Sequence, residues 1–198
     1  MKIKLEYVWL DGYEPEPNLR SKVKIIETDA VKLNLQDIPF WNFDGSSTLQ
    51  AEGSSSDCIL KPVKIYQNTS YTYETKTVYV LCEVLNSDNT PHISNHRSVL
   101  NDKTHYKKDT WVGFEQEFFI RDGKNGQILG HSNNGDKQGK FYCGVGSNVT
   151  GRHLIEEHVD MCLNYNIFIT GTNAEVALGQ WEYQVFSKDM IDGADDLW

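Results

Sequence analysis

The sequence predicts an α+β fold in two parts, and three observations predict it. Period-2 apolar alternation recurs along the chain, helical periodicity is convincing only once, and a polar, basic stretch from Ser98 to Asp109 separates the early strands from the later elements. Ile3 to Leu10 alternates with Ile3, Leu5, Tyr7 and Trp9 on one face, which is a strand pattern. Asp11-Gly12 opens a turn, Pro15 and Pro17 keep the next stretch irregular, and Lys22 to Glu27 reads as the second strand of a long-looped hairpin. Asn42 to Asp57 is too rich in Gly and Ser for regular structure. Trp41, Phe43 and Leu49 punctuate it, so it reads as an ordered loop and not a linker.

Thr77 to Leu85 is a strongly apolar strand closed by the turn Asn86-Ser87-Asp88-Asn89. After the boundary, Trp111 to Ile120 reads as a strand and Arg121 to Lys140 as a Gly/Asn-rich insertion. Arg152 to Leu163 is the helix, with Leu154, Ile155, His158, Val159 and Cys162 on one stripe. Ile167 to Thr170 reads as a further strand. Asp189 to Trp198 reads as a polar, acidic end whose Leu197-Trp198 pair has nothing to pack against.

Composition narrows the function classes. An apolar fraction of 39% supports a packed core and excludes a disordered tail. A net charge of −9 disfavours nucleic acid and anionic membranes as partners, both of which select cationic surfaces. Cys58, Cys82, Cys143 and Cys162 show no CxxC or zinc-type spacing, so free thiols in a reducing cytoplasm are expected. The N-terminus has no apolar signal region and no stretch approaches a membrane span.

The sharpest local signal is Glu115-Gln116-Glu117 within a strand. Residues two apart share a face, so the two glutamates point the same way, with Phe114, Phe118 and Ile120 opposite. Such a pair is either a solvated face or a site where a cation offsets the repulsion. Glu175 and Glu182 add a second pair. If Ala177-Leu178-Gly179-Gln180 forms a four-residue hairpin loop, Val176 faces Trp181 and Glu175 lies directly opposite Glu182. Four glutamates on sheet faces suggest a hard divalent cation, Mg²⁺ or Mn²⁺, and hence phosphoryl chemistry. Asp44-Gly45-Ser46-Ser47, taken alone, is either an ordinary turn or a catalytic loop. The six histidines show no ligand spacing, and His158 reads as a packed residue. Cys143-Gly144-Val145-Gly146 lacks the full dinucleotide fingerprint.

Taken together, several ordered blocks resemble type II glutamine synthetases. They are YVWLDG at Tyr7 to Gly12, WNFDGSSTLQAEG at Trp41 to Gly53, Leu60-Lys61-Pro62, Thr90-Pro91-His92 and Phe114-Glu115-Gln116-Glu117. FYCGVG at Phe141 to Gly146, Ile155-Glu156-Glu157-His158 and NAEVALGQWEYQ at Asn173 to Gln184 complete the set. The resemblance implies a β-grasp domain over residues 1–100 and the first part of a catalytic domain, with a curved antiparallel sheet, over residues 105–198. It implies ATP-dependent joining of ammonia to L-glutamate through γ-glutamyl phosphate, in a cytoplasmic homo-oligomeric ring. By motif, Glu117, Glu175 and Glu182 resemble ligands of the metal near glutamate, and Glu115 a ligand of the metal near ATP. Asp44, with Ser47 in the same loop, resembles the base that deprotonates ammonium. Glu115 and the stretch Glu182, Tyr183, Gln184, Phe186 and Ser187 resemble the ATP contacts.

The chain departs from that pattern where Leu49 stands for a usual Gly and Phe186-Ser187 for a frequent Gly-Pro, and its Asp122 to Phe141 insertion lacks the usual prolines. The family pattern also continues well past Trp198, through a metal histidine, a further metal glutamate and the arginines for glutamate and phosphate. The 198 residues alone are therefore expected to form no glutamine. A non-catalytic, co-assembling remnant and a ligase for another amine are the competing readings at this level.

Overall fold

The structure, a computed structural model, describes residues 1–68, 76–101, 110–130, 139–146 and 149–198. It divides into two compact units, Met1–Tyr106 and Lys107–Trp198. The predicted boundary falls partly on residues 102–109, outside the described residues, as do His105 and His131.

In the first unit, β1 (Lys2–Leu10), β2 (Leu19–Glu27), β3 (Trp41–Asp44), β4 (Asp57–Gln67) and β5 (Lys76–Leu85) form one sheet in the order β2-β1-β5-β4-β3. β1 and β5 run parallel at its centre and every other pair is antiparallel. The alternation of β1 does what its pattern predicts: Ile3, Leu5, Tyr7 and Trp9 are all buried. Phe43, Cys58, Leu60, Val78, Val80, Cys82 and Val84 join them from the other strands, and Leu33 and Ile38 from the connection after β2. Each large side chain so removed from water contributes ~1.5–3 kcal/mol.

The first unit differs from the sequence reading in three places. β2 starts at Leu19, not Lys22; along it Val23 and Ile25 are exposed while Lys22 is half-buried. The Lys22 ammonium lies 3.6 Å from the centroid of Trp41, in cation–π contact, and donates to the Asn42 carbonyl at 2.9 Å. The loop predicted over Asn42 to Asp57 begins as strand β3 and then makes a 3₁₀ turn, Gly45–Thr48. β4 was not anticipated, because Pro62 sits inside it. The ladder accommodates that missing N–H with a register shift between Pro62 and Lys64. Helix α1 (His96–Asn101) follows β5.

In the second unit, β6 (Val112–Phe119), β7 (Gly171–Ala174) and β8 (Gln180–Ser187) form an antiparallel sheet in the order β6-β8-β7. Helix α2 (Arg152–Asn164) matches its predicted span, but only part of its stripe is buried. Ile155 and Cys162 are inside, Val159 packs at the margin, and Leu154 is exposed. Ile155 joins Val149, Ala174 and Trp181 in a core bordered by Phe118 and Ile120. The strand expected at Ile167 to Thr170 begins instead at Gly171, although the Thr170 amide already donates to the Gln184 carbonyl at 2.8 Å.

The acidic end, read only as polar, has regular structure. It is helix α3 (Met190–Leu197), capped by Asp189, whose carboxylate accepts from Ile191 N at 2.8 Å and Asp192 N at 3.1 Å. α3 packs on β6 and β8, and its Leu197 carbonyl accepts the Tyr183 hydroxyl at 2.6 Å. All four cysteines are free thiols, with Cys58, Cys82 and Cys162 buried. Among the described residues no helix is long and apolar enough to cross a membrane.

Candidate metal-binding face

The ladder of the second unit builds the site. β6 and β8 pair with Glu117 directly opposite Glu182 and Glu115 opposite Gln184. On the other flank of β8, the register differs from the predicted hairpin by two residues. Asn173 is opposite Glu182, Ala174 opposite Trp181, and the Glu175 amide donates to the Gln180 carbonyl at 2.9 Å. The loop is therefore Val176 to Gly179. Its closure depends on Gly179, which has φ +71° and packs so closely that a Cβ would lie 1.9 Å from the Leu129 carbonyl oxygen. A shift of two residues preserves the face, so Glu175 still points to the side occupied by Glu117 and Glu182.

One carboxylate oxygen from each of Glu117, Glu175 and Glu182 lies within 4.8 Å of the others. Glu182 is 5% exposed and Glu175 9%, whereas Glu117 and Glu115 are exposed. Three like charges this close repel strongly unless protons or a cation intervene. Among the described residues no lysine or arginine forms an ion pair with any of the three. The Gln184 amide favours the ionised form of Glu182. Burial, Glu175 and Glu115 outweigh it, and the net shift raises the carboxyl above the usual glutamate value. An all-oxygen, multiply anionic donor set of this kind suits a hard divalent cation, so the residues fit Mg²⁺ or Mn²⁺. Glu115 shares the face but lies outside the group of three.

The remaining predicted residues divide between faces and units. Gln184 lies on the carboxylate face, bonded to Glu182 and, at 3.2 Å, to Asn173. Phe186 is on the same face, half exposed, its ring stacked on Trp111 at 4.9 Å. The Tyr183 side chain points the opposite way, against His158 and Phe118 and under α3. The Ser187 hydroxyl accepts from the Asp189 amide at 3.1 Å, beside the start of α3. His158 is packed as read, its ring 3.6 Å from the Cys162 sulfur, and burial lowers its pKa.

Asp44 and Ser47 belong to the first unit, at the exposed 3₁₀ turn. Asp44 accepts from the Ser46 hydroxyl at 2.6 Å and the Ser46 amide at 3.0 Å. Those bonds hold its carboxyl below the usual aspartate value. Buried Gln50 anchors the turn, donating to the Leu10 carbonyl at 3.1 Å and to Ser94 Oγ at 2.9 Å.

Sequence reasoning passed over Asn173 and Gln180. Asn173 donates to Glu175 at 2.8 Å and Gln180 to Glu117 at 2.6 Å. Both lie inside the quoted NAEVALGQWEYQ block, but their link to the carboxylates depends on the hairpin register.

Residues 2–87 match the family model described as "Glutamine synthetase, beta-Grasp domain". The whole chain aligns with glutamine synthetases from Bradyrhizobium diazoefficiens, at 48% identity, and Streptomyces viridochromogenes, at 45%. It spans 56% and 57% of those relatives' lengths, a little over half. A cryo-EM structure of Plasmodium falciparum glutamine synthetase superposes with a TM-score of 0.67 over 98% of this chain and 43% of that one; at 14% identity this is a likeness of fold. On the β-grasp match and the end-to-end alignment, the chain is similar over its whole length to the first part of glutamine synthetases.

Proposed function

We propose that the chain carries the metal-binding sheet and the ammonia-activating loop of a type II glutamate–ammonia ligase. The observation that carries this reading is the convergence of Glu117, Glu175 and Glu182 on one sheet face. In the proposed reaction a side-chain carboxylate oxygen of L-glutamate attacks the γ-phosphorus of ATP, and ADP leaves. Ammonia then attacks the acyl carbon of γ-glutamyl phosphate, and phosphate leaves. Glu117, Glu175 and Glu182 would hold one Mg²⁺ or Mn²⁺, with Glu115 on the ATP side. The cation would neutralise charge on the transferring phosphoryl group.

Asp44, kept ionised by its bonds to Ser46, attracts ammonium and takes its proton, with Ser47 beside it in the turn. Residues 1–100 are the β-grasp part and 105–198 the catalytic part. The assembly proposed is a cytoplasmic homo-oligomeric ring. Phe186 and Ser187, with the Gln184 and Tyr183 backbone, border the nucleotide.

A chimera tests this reading: residues 1–198 joined to the remaining part of the Bradyrhizobium diazoefficiens relative. Glutamine formation should require ATP, L-glutamate and ammonia, and should fall ~10²-fold or more for Asp44→Asn or Glu117→Gln. A chimera that assembles as the relative does yet forms no glutamine contradicts the reading.

A further inference from the structure

Each of the three clustered carboxylates has its own carboxamide donor. Gln180 Nε2 donates to Glu117 Oε2 at 2.6 Å, Asn173 Nδ2 to Glu175 Oε1 at 2.8 Å, and Gln184 Nε2 to Glu182 Oε1. These contacts are themselves oriented. Gln180 Oε1 accepts the Ala177 amide at 3.2 Å, which leaves its NH₂ end facing Glu117 across the sheet. Asn173 Oδ1 accepts from Gln184 at 3.2 Å, which leaves its own NH₂ end facing Glu175. The Val176 amide holds the second Glu175 oxygen at 3.0 Å.

The backbone makes room for this arrangement. Gly171 stands opposite Gln184, and a Cβ there would lie 2.5 Å from the Gln184 amide oxygen. A carboxamide NH₂ only donates and does not titrate, so it can fix a carboxylate's direction without competing for the cation as a lysine would.

We infer that Gln180, Asn173 and Gln184 are positioning residues that aim Glu117, Glu175 and Glu182 at a shared divalent cation. This rests on the carboxylate-site reading above. Gln180 is the most informative of the three, because it reaches from the hairpin end of β8 to a ligand on β6. The side chain of Gln184 then serves Glu182 and Asn173, not the nucleotide.

Titrating MnCl₂ into the 198-residue chain by calorimetry, alongside circular dichroism and apo thermal unfolding, tests the inference. Gln180→Met keeps the length and removes the donor. It should weaken Mn²⁺ binding ~10–100-fold while leaving the apo unfolding midpoint within about 2 °C. Asn173→Ala should weaken it comparably, and provides a second reading if Gln180→Met does not fold. In a Glu117→Gln background, Gln180→Met should add no further loss, because its target is already gone.

Mn²⁺ affinity within twofold of the parent for both variants, with Glu117→Gln clearly weakened, overturns the positioning role and leaves the carboxylate site standing. An equal further loss from Gln180→Met in the Glu117→Gln background also overturns it. No Mn²⁺ binding by the parent chain removes the carboxylate site and the positioning role together.

Discussion

Leu49 shows how a single residue can carry a cost visible only in three dimensions. It ends the 3₁₀ turn after Asp44 in the left-handed region, φ 55° and ψ 33°, with its side chain largely exposed. A non-glycine residue there costs roughly 1–2 kcal/mol, against roughly 0.5–1 kcal/mol of extra chain entropy for glycine. Leu49→Gly should therefore stabilise the chain by about 0.5 kcal/mol in denaturant unfolding, with an unchanged m-value. A loss of stability would mean that the exposed Leu49 side chain makes contacts that outweigh the backbone strain.

At this scale the sequence was legible for charge-bearing pairs within one strand, because period 2 alone puts Glu115 and Glu117 together. It was not legible for Asp11, read only as part of a turn. That carboxylate is buried and accepts from the Tyr13 and Asn18 amides, the Asn18 side chain and Arg20 Nε at 2.8 Å. Burial would raise its pKa, but these donors hold it below the usual value. Residues up to nine positions away make those bonds, and a local pattern does not encode such reach.

Among the elements, those with one regular period were readable and those with an interruption were not. β1 and α2 announce themselves by alternation and by a helical stripe. Pro62 hides β4. Gly193 and three aspartates hide α3, although Asp189 followed by an apolar residue is an N-cap signal that could have found it. Gly193 also lets α3 approach the sheet closely, a Cβ there being 3.2 Å from Phe114, Val112 and Ser187 atoms. Asp189→Ala removes two bonds to helix amides. It should cost about 1 kcal/mol and speed hydrogen exchange at Ile191 and Asp192 before it affects β1. Unchanged exchange at those amides would show that packing on β6 and β8 alone holds the helix end.

The docking of α2 against β8 carries a pH dependence. His158 sits between Cys162 on its own helix and Tyr183 on β8, and burial lowers its pKa. The unfolded chain, with an ordinary histidine near 6.5, then binds more protons than the fold as pH falls below that value. The His158 contribution to stability is thus present above about pH 6.5 and is lost as pH falls through the lower folded-state value. Chemical unfolding at pH 7.5 and pH 5.5 should show this loss, and His158→Gln should flatten it. An unchanged slope in the variant would show that His158 is not the source of the acid sensitivity.

For the whole molecule, the two-part organisation was legible because polar, basic Ser98 to Asp109 interrupts the strand patterns. The convergence of the carboxylates was only partly so. Their common face follows from parity, which survives a two-residue error in hairpin register. Which residue opposes which does not survive that error, and so the carboxamides that bond Glu117, Glu175 and Glu182 were passed over. Those carboxylates, buried Glu175 and Glu182 with exposed Glu117, lie close together with no lysine or arginine paired to them among the described residues.

The most direct test follows the free Mn²⁺ signal by electron paramagnetic resonance as the 198-residue chain is titrated into a fixed Mn²⁺ solution at neutral pH. The account predicts that the signal falls as the parent chain is added, that Mg²⁺ restores it by competition, and that the fall is strongly reduced for Glu117→Gln and for Glu182→Gln. A signal that does not fall for the parent, or that falls equally for both variants, would contradict it.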